Sequence, residues 1–152
     1  MNGMRIFHPY GSKERLFEVF QRVNNVMIQE AVLDKQKRQE VINEFVDFVK
    51  NKIELEDAPE IQLSYDEKEA QDMKSFGKYT PHTNELLVVA ANRNLADILR
   101  TIAHELVHHK QGLEGRIEAN SNETGSNIEN EANALAGVIM REFAQINPII
   151  FE

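Results

Sequence analysis

The stretch His104-Glu105-Leu106-Val107-His108 places two imidazoles and one carboxylate close together in the chain. Residues four apart lie on one face of a helix, so His104 and His108 can approach a single metal ion. Glu105 would then lie beside that ion, where a carboxylate can act as a general base on water. The pattern therefore predicts two metal ligands and a base.

The residues around this motif predict a capped helix. Asn94 is a candidate N-cap, Asp97 lies in the first turn, and Gly112 can end the helix. A lone histidine on such a helix is more often an ordinary hydrogen-bonded residue, but the full motif favours metal binding. The apolar residues expected to bury the helix in the core are Leu99, Ile102, Ala103, Leu106 and Val107.

A catalytic zinc usually has three protein ligands, so a third ligand is expected downstream. A second apolar helix is predicted from Ile128 to about Phe143, with Glu129 and Glu131 in its first turn. Glu129 shares a helix face with Asn133, whereas Glu131 points away, which favours Glu129 as the ligand. Glu131 is the alternative. Ser126-x-x-Glu129 also matches a capping box, which would give Glu129 a purely structural role.

These two motifs resemble those of the gluzincin metallopeptidases, and most of all the small ImmA/IrrE-type members. His104, Glu105 and His108 match the HExxH helix, and the run 129–133 matches the glutamate helix, Glu-x-x-Ala-Asn. The resemblance covers about residues 86–140. It implies that His104, His108 and Glu129 bind Zn²⁺, that Glu105 is the general base, and that Asn133 orients the first histidine, where many gluzincins have aspartate.

The expected fold is an α+β, zincin-like single domain. It would contain a small mixed β-sheet, the active-site helix and the glutamate helix, preceded by N-terminal helices. The runs 61–65 and 85–90 are strand candidates, and 79–84 is predicted to be a turn. In the resembled family an edge strand binds extended peptide, and Leu86–Ala90 is the segment assigned to that role.

The first part of the chain predicts two amphipathic helices, at about 12–28 and 34–53. We therefore expect residues 1–57 to form an N-terminal helical segment and residues 58–152 to form the catalytic core. An alternative hypothesis is that residues 1–30 are an inhibitory prosegment that lies across the cleft.

Composition limits the possible functions. The 152 residues, 41% of them hydrophobic, suit one domain, and the absence of cysteine leaves histidine and carboxylate as ligands. A net charge of -8 argues against nucleic acid as a partner. No apolar run has the length of a signal sequence or a membrane span, so a cytoplasmic protein without a membrane partner is expected.

The expected function is zinc-dependent hydrolysis of peptide bonds in a peptide or protein substrate. Tyr79, His82 and His109 are candidates for stabilising the oxyanion. The alternative is a non-hydrolytic regulatory or structural protein that retains the metal-binding fold. A third hypothesis is a hydrolase of non-peptide amides. Glu105 favours an enzyme, since a purely structural zinc site needs no base.

Overall fold

The computed structural model describes residues 13–80, 82–117 and 125–151. These residues form two compact units, with the boundary in the sequence between Glu40 and Val41. In chain order the elements are α1 (Lys13–Lys52), β1 (Glu60–Ser64), α2 (Glu67–Asp72), β2 (Gly77–Thr80), β3 (Glu85–Val89), α3 (Leu95–Leu113), α4 (Asn127–Ile146) and a 3₁₀ turn (Pro148–Phe151).

Helix α1 corrects the prediction of two N-terminal helices. It continues through positions 28–34, where the sequence contains neither glycine nor proline to break it. In the first unit, the apolar side chains between Leu16 and Ile28 are largely exposed. The prosegment hypothesis concerns residues 1–30, of which 1–12 lie outside the described residues, and it stays a prediction. Among the described residues, no helix is long and apolar enough to cross a membrane.

The sheet belongs to the second unit and has the strand order β1-β3-β2. β1 is parallel to β3, with Ile61 opposite Leu86, and β2 is antiparallel to β3, with Gly77 opposite Val88. The sheet is therefore small and mixed, as predicted. Both predicted strands are present within one residue of the expected bounds. β2 was missed, because its sequence Gly-Lys-Tyr-Thr lacks an apolar alternation and overlaps the predicted turn.

Helix α3 begins as the sequence predicts and ends at Leu113, one residue beyond Gly112. The Asn94 side chain accepts a hydrogen bond from the Asp97 N–H at 2.9 Å, which makes Asn94 the N-cap. The residue in the left-handed conformation is Gly115, with φ +70°, rather than Gly112. Gly115 N–H donates to the Gly112 carbonyl, and Arg116 N–H donates to the Gln111 carbonyl, each at 3.0 Å. This pair of bonds is a Schellman motif, which turns the chain back over the last helical turn.

Helix α4 begins at a serine cap. The Ser126 hydroxyl accepts a hydrogen bond from the Glu129 N–H at 3.2 Å, so the capping pattern seen in the sequence is used. The cap involves the main chain of Glu129 and leaves its carboxylate available for other contacts. The helix was predicted over 128–143 and extends to Ile146.

The core of the second unit lies between the helices and the sheet. All five apolar residues of α3 that were predicted to be buried are at most 2% exposed. Phe45, from the part of α1 in this unit, packs edge-on against Phe143 of α4, with ring centroids 5.0 Å apart. Removing a large buried side chain from such a core costs about 2–5 kcal/mol. This packing fixes α3 against α4 and leaves one polar arc of each helix facing a cleft.

Candidate metal centre

The two histidines of the motif meet on one face of α3. His104 and His108 are one helical turn apart, and their Nε2 atoms are 3.0 Å from each other. The side chains are 20% and 15% exposed, and both line the cleft. The apolar side of the same helix is buried in the core, and this anchoring determines which way the imidazoles face.

Glu129 reaches the histidines from the first turn of α4. One carboxylate oxygen lies 3.2 Å from His104 Nε2, and the other lies 3.0 Å from His108 Nε2. Glu131 belongs to a different cluster, in which its carboxylate accepts hydrogen bonds from Gln111 and Arg116. Of the two glutamates considered from the sequence, the structure brings Glu129 to the histidines.

The donor atoms of His104, His108 and Glu129 all lie within 4.8 Å of one another, so this group could hold a metal ion. Ligand bonds of about 2.0–2.2 Å in a tetrahedral site would place the donors roughly 3.3–3.6 Å apart. The three separations in the structure, 3.0–3.2 Å, need only small side-chain adjustments to reach those values. Two imidazoles and one carboxylate, with a further position open to the cleft, are a donor set that suits zinc.

The electrostatics of this cluster favour the neutral form of the His104 imidazole. Burial lowers the pKa of His104, and the neighbouring His108 lowers it further. Glu129 and a hydrogen bond with the Asn133 side chain act in the opposite direction. A metal ligand must be deprotonated, so a lowered pKa favours metal binding. Asn133 contacts His104 as the resemblance implied.

Glu105 is the carboxylate beside the three donors. It points away from the core into the cleft, and burial raises its pKa above the ordinary carboxyl range. Its side chain lies against Gly77 of β2, where an added Cβ would come within 2.7 Å of Glu105 Cγ. No side chain larger than hydrogen fits at position 77 unless Glu105 moves.

The cleft has a volume of about 590 Å³ and two different sides. The first side consists of α3 and the start of α4, which carry the histidines and both nearby carboxylates, Glu105 and Glu129. The second side is β2 together with Ser75, which precedes it. Leu113 and Ile117 add an apolar region at the end of α3.

Tyr79 and His109, both considered as oxyanion donors, line the cleft, and their rings contact each other with centroids 5.2 Å apart. The Tyr79 hydroxyl donates to Asn84 Oδ1 at 3.0 Å. Burial lowers the pKa of His109, which also hydrogen-bonds to the main chain of Asp57. His82, the third candidate, is exposed and is not among the residues that line this cleft.

The assignment of the peptide-binding edge strand needs correction. Leu86–Ala90 was the segment predicted to bind substrate, but β3 is the central strand and pairs with β1 on one side and β2 on the other. Its main-chain groups are therefore used within the sheet. Among the described strands, β2 is the edge strand that borders the cleft.

Gln111 was missed in the sequence although it touches the candidate metal centre. Its side-chain oxygen lies 2.8 Å from Nδ1 of His108. The spacing of three residues on one helix was a signal that could have found it, since such residues share a face. A glutamine carries no motif of its own, and its burial became visible only in the folded chain.

A small mixed sheet, a helix bearing HExxH and a second helix bearing the glutamate define a zincin-like domain. The chain belongs to the Peptidase_M78 family, described as the IrrE N-terminal-like domain. The family model matches residues 56–144, which are more than half of this chain. Comparison with curated proteins and with solved structures gives no match.

Proposed function

We propose that this protein is a zinc-dependent metallopeptidase in which His104, His108 and Glu129 hold the ion. The observation that carries the proposal is the convergence of these three donors within 4.8 Å at a cleft that also contains Glu105. Membership of a peptidase family supports the same conclusion. A binding site for zinc alone would have no need of a partly buried carboxylate beside the ligands.

Zinc, when bound, would supply a Lewis acid that lowers the pKa of water and polarises a carbonyl group. Glu105 would act as the base. Its raised pKa, caused mainly by burial, brings the carboxylate closer to the range in which it can accept a proton and later release it. It would take a proton from the attacking water and give it to the amine that leaves.

The strand β2 would hold an extended peptide by its main chain. Val89 N–H donates to the Phe76 carbonyl at 2.8 Å, so the alternation of an antiparallel ladder directs the main-chain groups of Gly77 and Tyr79 away from β3. These groups face the edge that no described strand covers. Addition of a substrate strand at such an edge is a common mode of peptide recognition.

Tyr79 and His109 are the two candidates for stabilising the oxyanion, because each lines the cleft with a hydrogen-bonding group. The substrate is then a peptide or an unfolded protein segment, since an extended main chain is what an open strand edge recognises. The apolar side chains of Leu113 and Ile117 would contact a substrate side chain next to the cleaved bond.

The test combines zinc analysis with cleavage of a peptide library, for the wild type and for Glu105→Gln. We expect about one zinc per chain in both proteins, because Glu105 is not a ligand. Cleavage should fall by about 10²–10⁴-fold in Glu105→Gln, the usual contribution of a general base. A chelator should abolish wild-type cleavage, and added zinc should restore it.

Three outcomes would overturn the proposal. Wild-type protein that binds zinc but cleaves no library peptide would support the non-hydrolytic regulatory or structural alternative. Cleavage by Glu105→Gln at the wild-type rate would show that the activity arises elsewhere. Hydrolysis of small amides without peptide cleavage would instead favour the non-peptide amide hydrolase.

A further inference from the structure

Gln111 is a buried amide at the end of α3, only 1% exposed. Both ends of its side chain are engaged. Oε1 lies 2.8 Å from Nδ1 of His108, while Nε2 donates to the Ile128 carbonyl at 3.2 Å and to the Glu131 carboxylate at 2.9 Å. The amide therefore connects a histidine of the candidate metal centre to the first turn of α4.

These partners determine which way the amide faces. A carbonyl and a carboxylate can only accept hydrogen bonds, so the NH₂ group of Gln111 must point to Ile128 and Glu131. Its oxygen must then point to His108, and Nδ1 of His108 must carry the proton. That tautomer leaves Nε2 with a free lone pair, and Nε2 is the atom that lies 3.0 Å from Glu129.

Glu131 is itself held in place by Arg116. The guanidinium donates to both carboxylate oxygens, with the shorter distance 2.5 Å. The Schellman motif at the end of α3 explains how Arg116 gets there, because its main-chain N–H bonds to the Gln111 carbonyl and turns the chain back over that residue. Gly115 supplies the left-handed conformation that this turn requires.

We propose that Gln111 is the positioning residue for His108, and that Glu131 and Arg116 fix its amide. Three residues outside the ligand set then determine the tautomer of one ligand and, through it, the affinity for the metal. The inference rests on the metal site of the proposed function, but it does not require turnover. Outer partners of this kind typically contribute about 10–100-fold to metal affinity.

The test is a titration of zinc affinity against a competing chelator, with Gln111→Met, Glu131→Gln and Arg116→Gln. Methionine keeps the side-chain volume and removes both hydrogen-bonding groups. We expect the zinc Kd to rise about 10–100-fold in Gln111→Met, with smaller rises in Glu131→Gln and then Arg116→Gln. Glu142→Gln is the matched control and should leave the zinc Kd unchanged. Glu142 lies on α4, the helix of Glu131, but it pairs with Lys52 at 2.7 Å, away from the cleft.

A second measurement reads the tautomer directly. In ¹⁵N-labelled, zinc-loaded wild type, His108 should show a protonated Nδ1 whose hydrogen exchanges slowly because Gln111 accepts it. The slowly exchanging signal should disappear in Gln111→Met, while a purely structural role would change thermal stability and leave the signal intact. A Kd within about twofold of the wild type, or an unchanged Nδ1–H signal, would overturn the proposal.

The outcomes separate this inference from the proposed function. If the wild type binds zinc but cleaves no peptide, the proposed function is rejected, and the zinc Kd values of the variants still decide the role of Gln111. If the wild type cleaves peptides and Gln111→Met has an unchanged zinc affinity, the role proposed for Gln111 is rejected and the proposed function stands. If circular dichroism shows that Gln111→Met does not fold, the Glu131→Gln and Arg116→Gln variants, at less buried positions, decide the question.

Discussion

The two walls of the cleft contribute different chemical groups. The helical wall is the polar face of α3 and the start of α4, and it contributes side chains: His104, His108 and Glu129. The strand wall is β2, and it contributes main-chain groups and, at Gly77, the absence of a side chain. Sequence motifs describe the first wall well because they record side-chain chemistry. Such motifs do not describe the strand wall, because its role depends on which elements of the fold lie opposite it.

The largest expected effect comes from changing the helical wall at Glu129. Glu129→Gln removes a charged donor that lies within 3.2 Å of both imidazoles, so bound zinc should fall from about one per chain to near zero at saturating zinc. Glu131→Gln should keep its zinc under the same conditions, since Glu131 faces Arg116. Elemental analysis after desalting measures both. Retention of zinc in Glu129→Gln with loss in Glu131→Gln would reverse the ligand assignment.

An intermediate effect is expected from changing the strand wall at Gly77. Gly77→Ala would place a Cβ 2.7 Å from Glu105 Cγ and must displace that carboxylate. Because a shift of about 1 Å can cost on the order of 10²-fold in rate, we expect kcat to fall by about 10–100-fold while zinc content is unchanged. Steady-state kinetics on a cleaved library peptide, with zinc analysis, provide the measurement.

Gly137→Ala is the control for this variant. A Cβ added at Gly137 on α4 would meet nothing within 4 Å, so kcat should stay the same. Stability should rise by roughly 0.5–1 kcal/mol, because alanine favours the helix over glycine. Equal activity of Gly77→Ala and wild type would mean that the strand wall does not constrain Glu105.

The smallest expected effect is the pH dependence of the free energy of unfolding that arises from Glu131, on the outer side of the helical wall. The hydrogen bond from Arg116 lowers the pKa of Glu131, so ionised Glu131 stabilises the fold above the ordinary carboxyl range, about pH 4.3. This contribution is lost as the pH falls through the lowered pKa of the folded state. Solvent screens the pair, so the effect on the free energy of unfolding should be small.

Denaturant unfolding of the wild type and Glu131→Gln between pH 3 and pH 7 would measure this contribution. The wild type should lose its advantage over Glu131→Gln on the acid side. A difference in unfolding free energy that does not vary with pH would show that the Arg116 pair does not act through the charge of Glu131.

Many residues of the helical wall could be predicted, because the helical period tells which positions in the sequence lie next to each other. Positions four apart in α3 placed His104 beside His108, and the same rule separated Glu129 from Glu131. Gln111 satisfied this spacing too, but an amide has no recognised motif, so its contact with His108 was overlooked. The continuous helix α1 was missed because positions 29–33 were left between two predicted helices, although they contain no residue that breaks helices.

The strand wall was misjudged because strand order is not a local property. The apolar run at 85–90 was identified as a strand, yet nothing in it tells whether one or both of its edges are paired. β2 has few apolar residues because it is short and lies at the edge of the sheet. Its pairing with β3 became evident only when the turn at residues 82–84 brought the two segments together.

The sequence by itself determined the donor chemistry, the helices that carry it and the apolar faces that bury them, because these follow from residue type and from a fixed helical period. Tertiary structure alone decided which strand borders the cleft, why position 77 is glycine, and how Arg116 and Glu131 reach the amide of Gln111. Those features depend on contacts between segments far apart in the chain, and such contacts exist only when the whole domain packs.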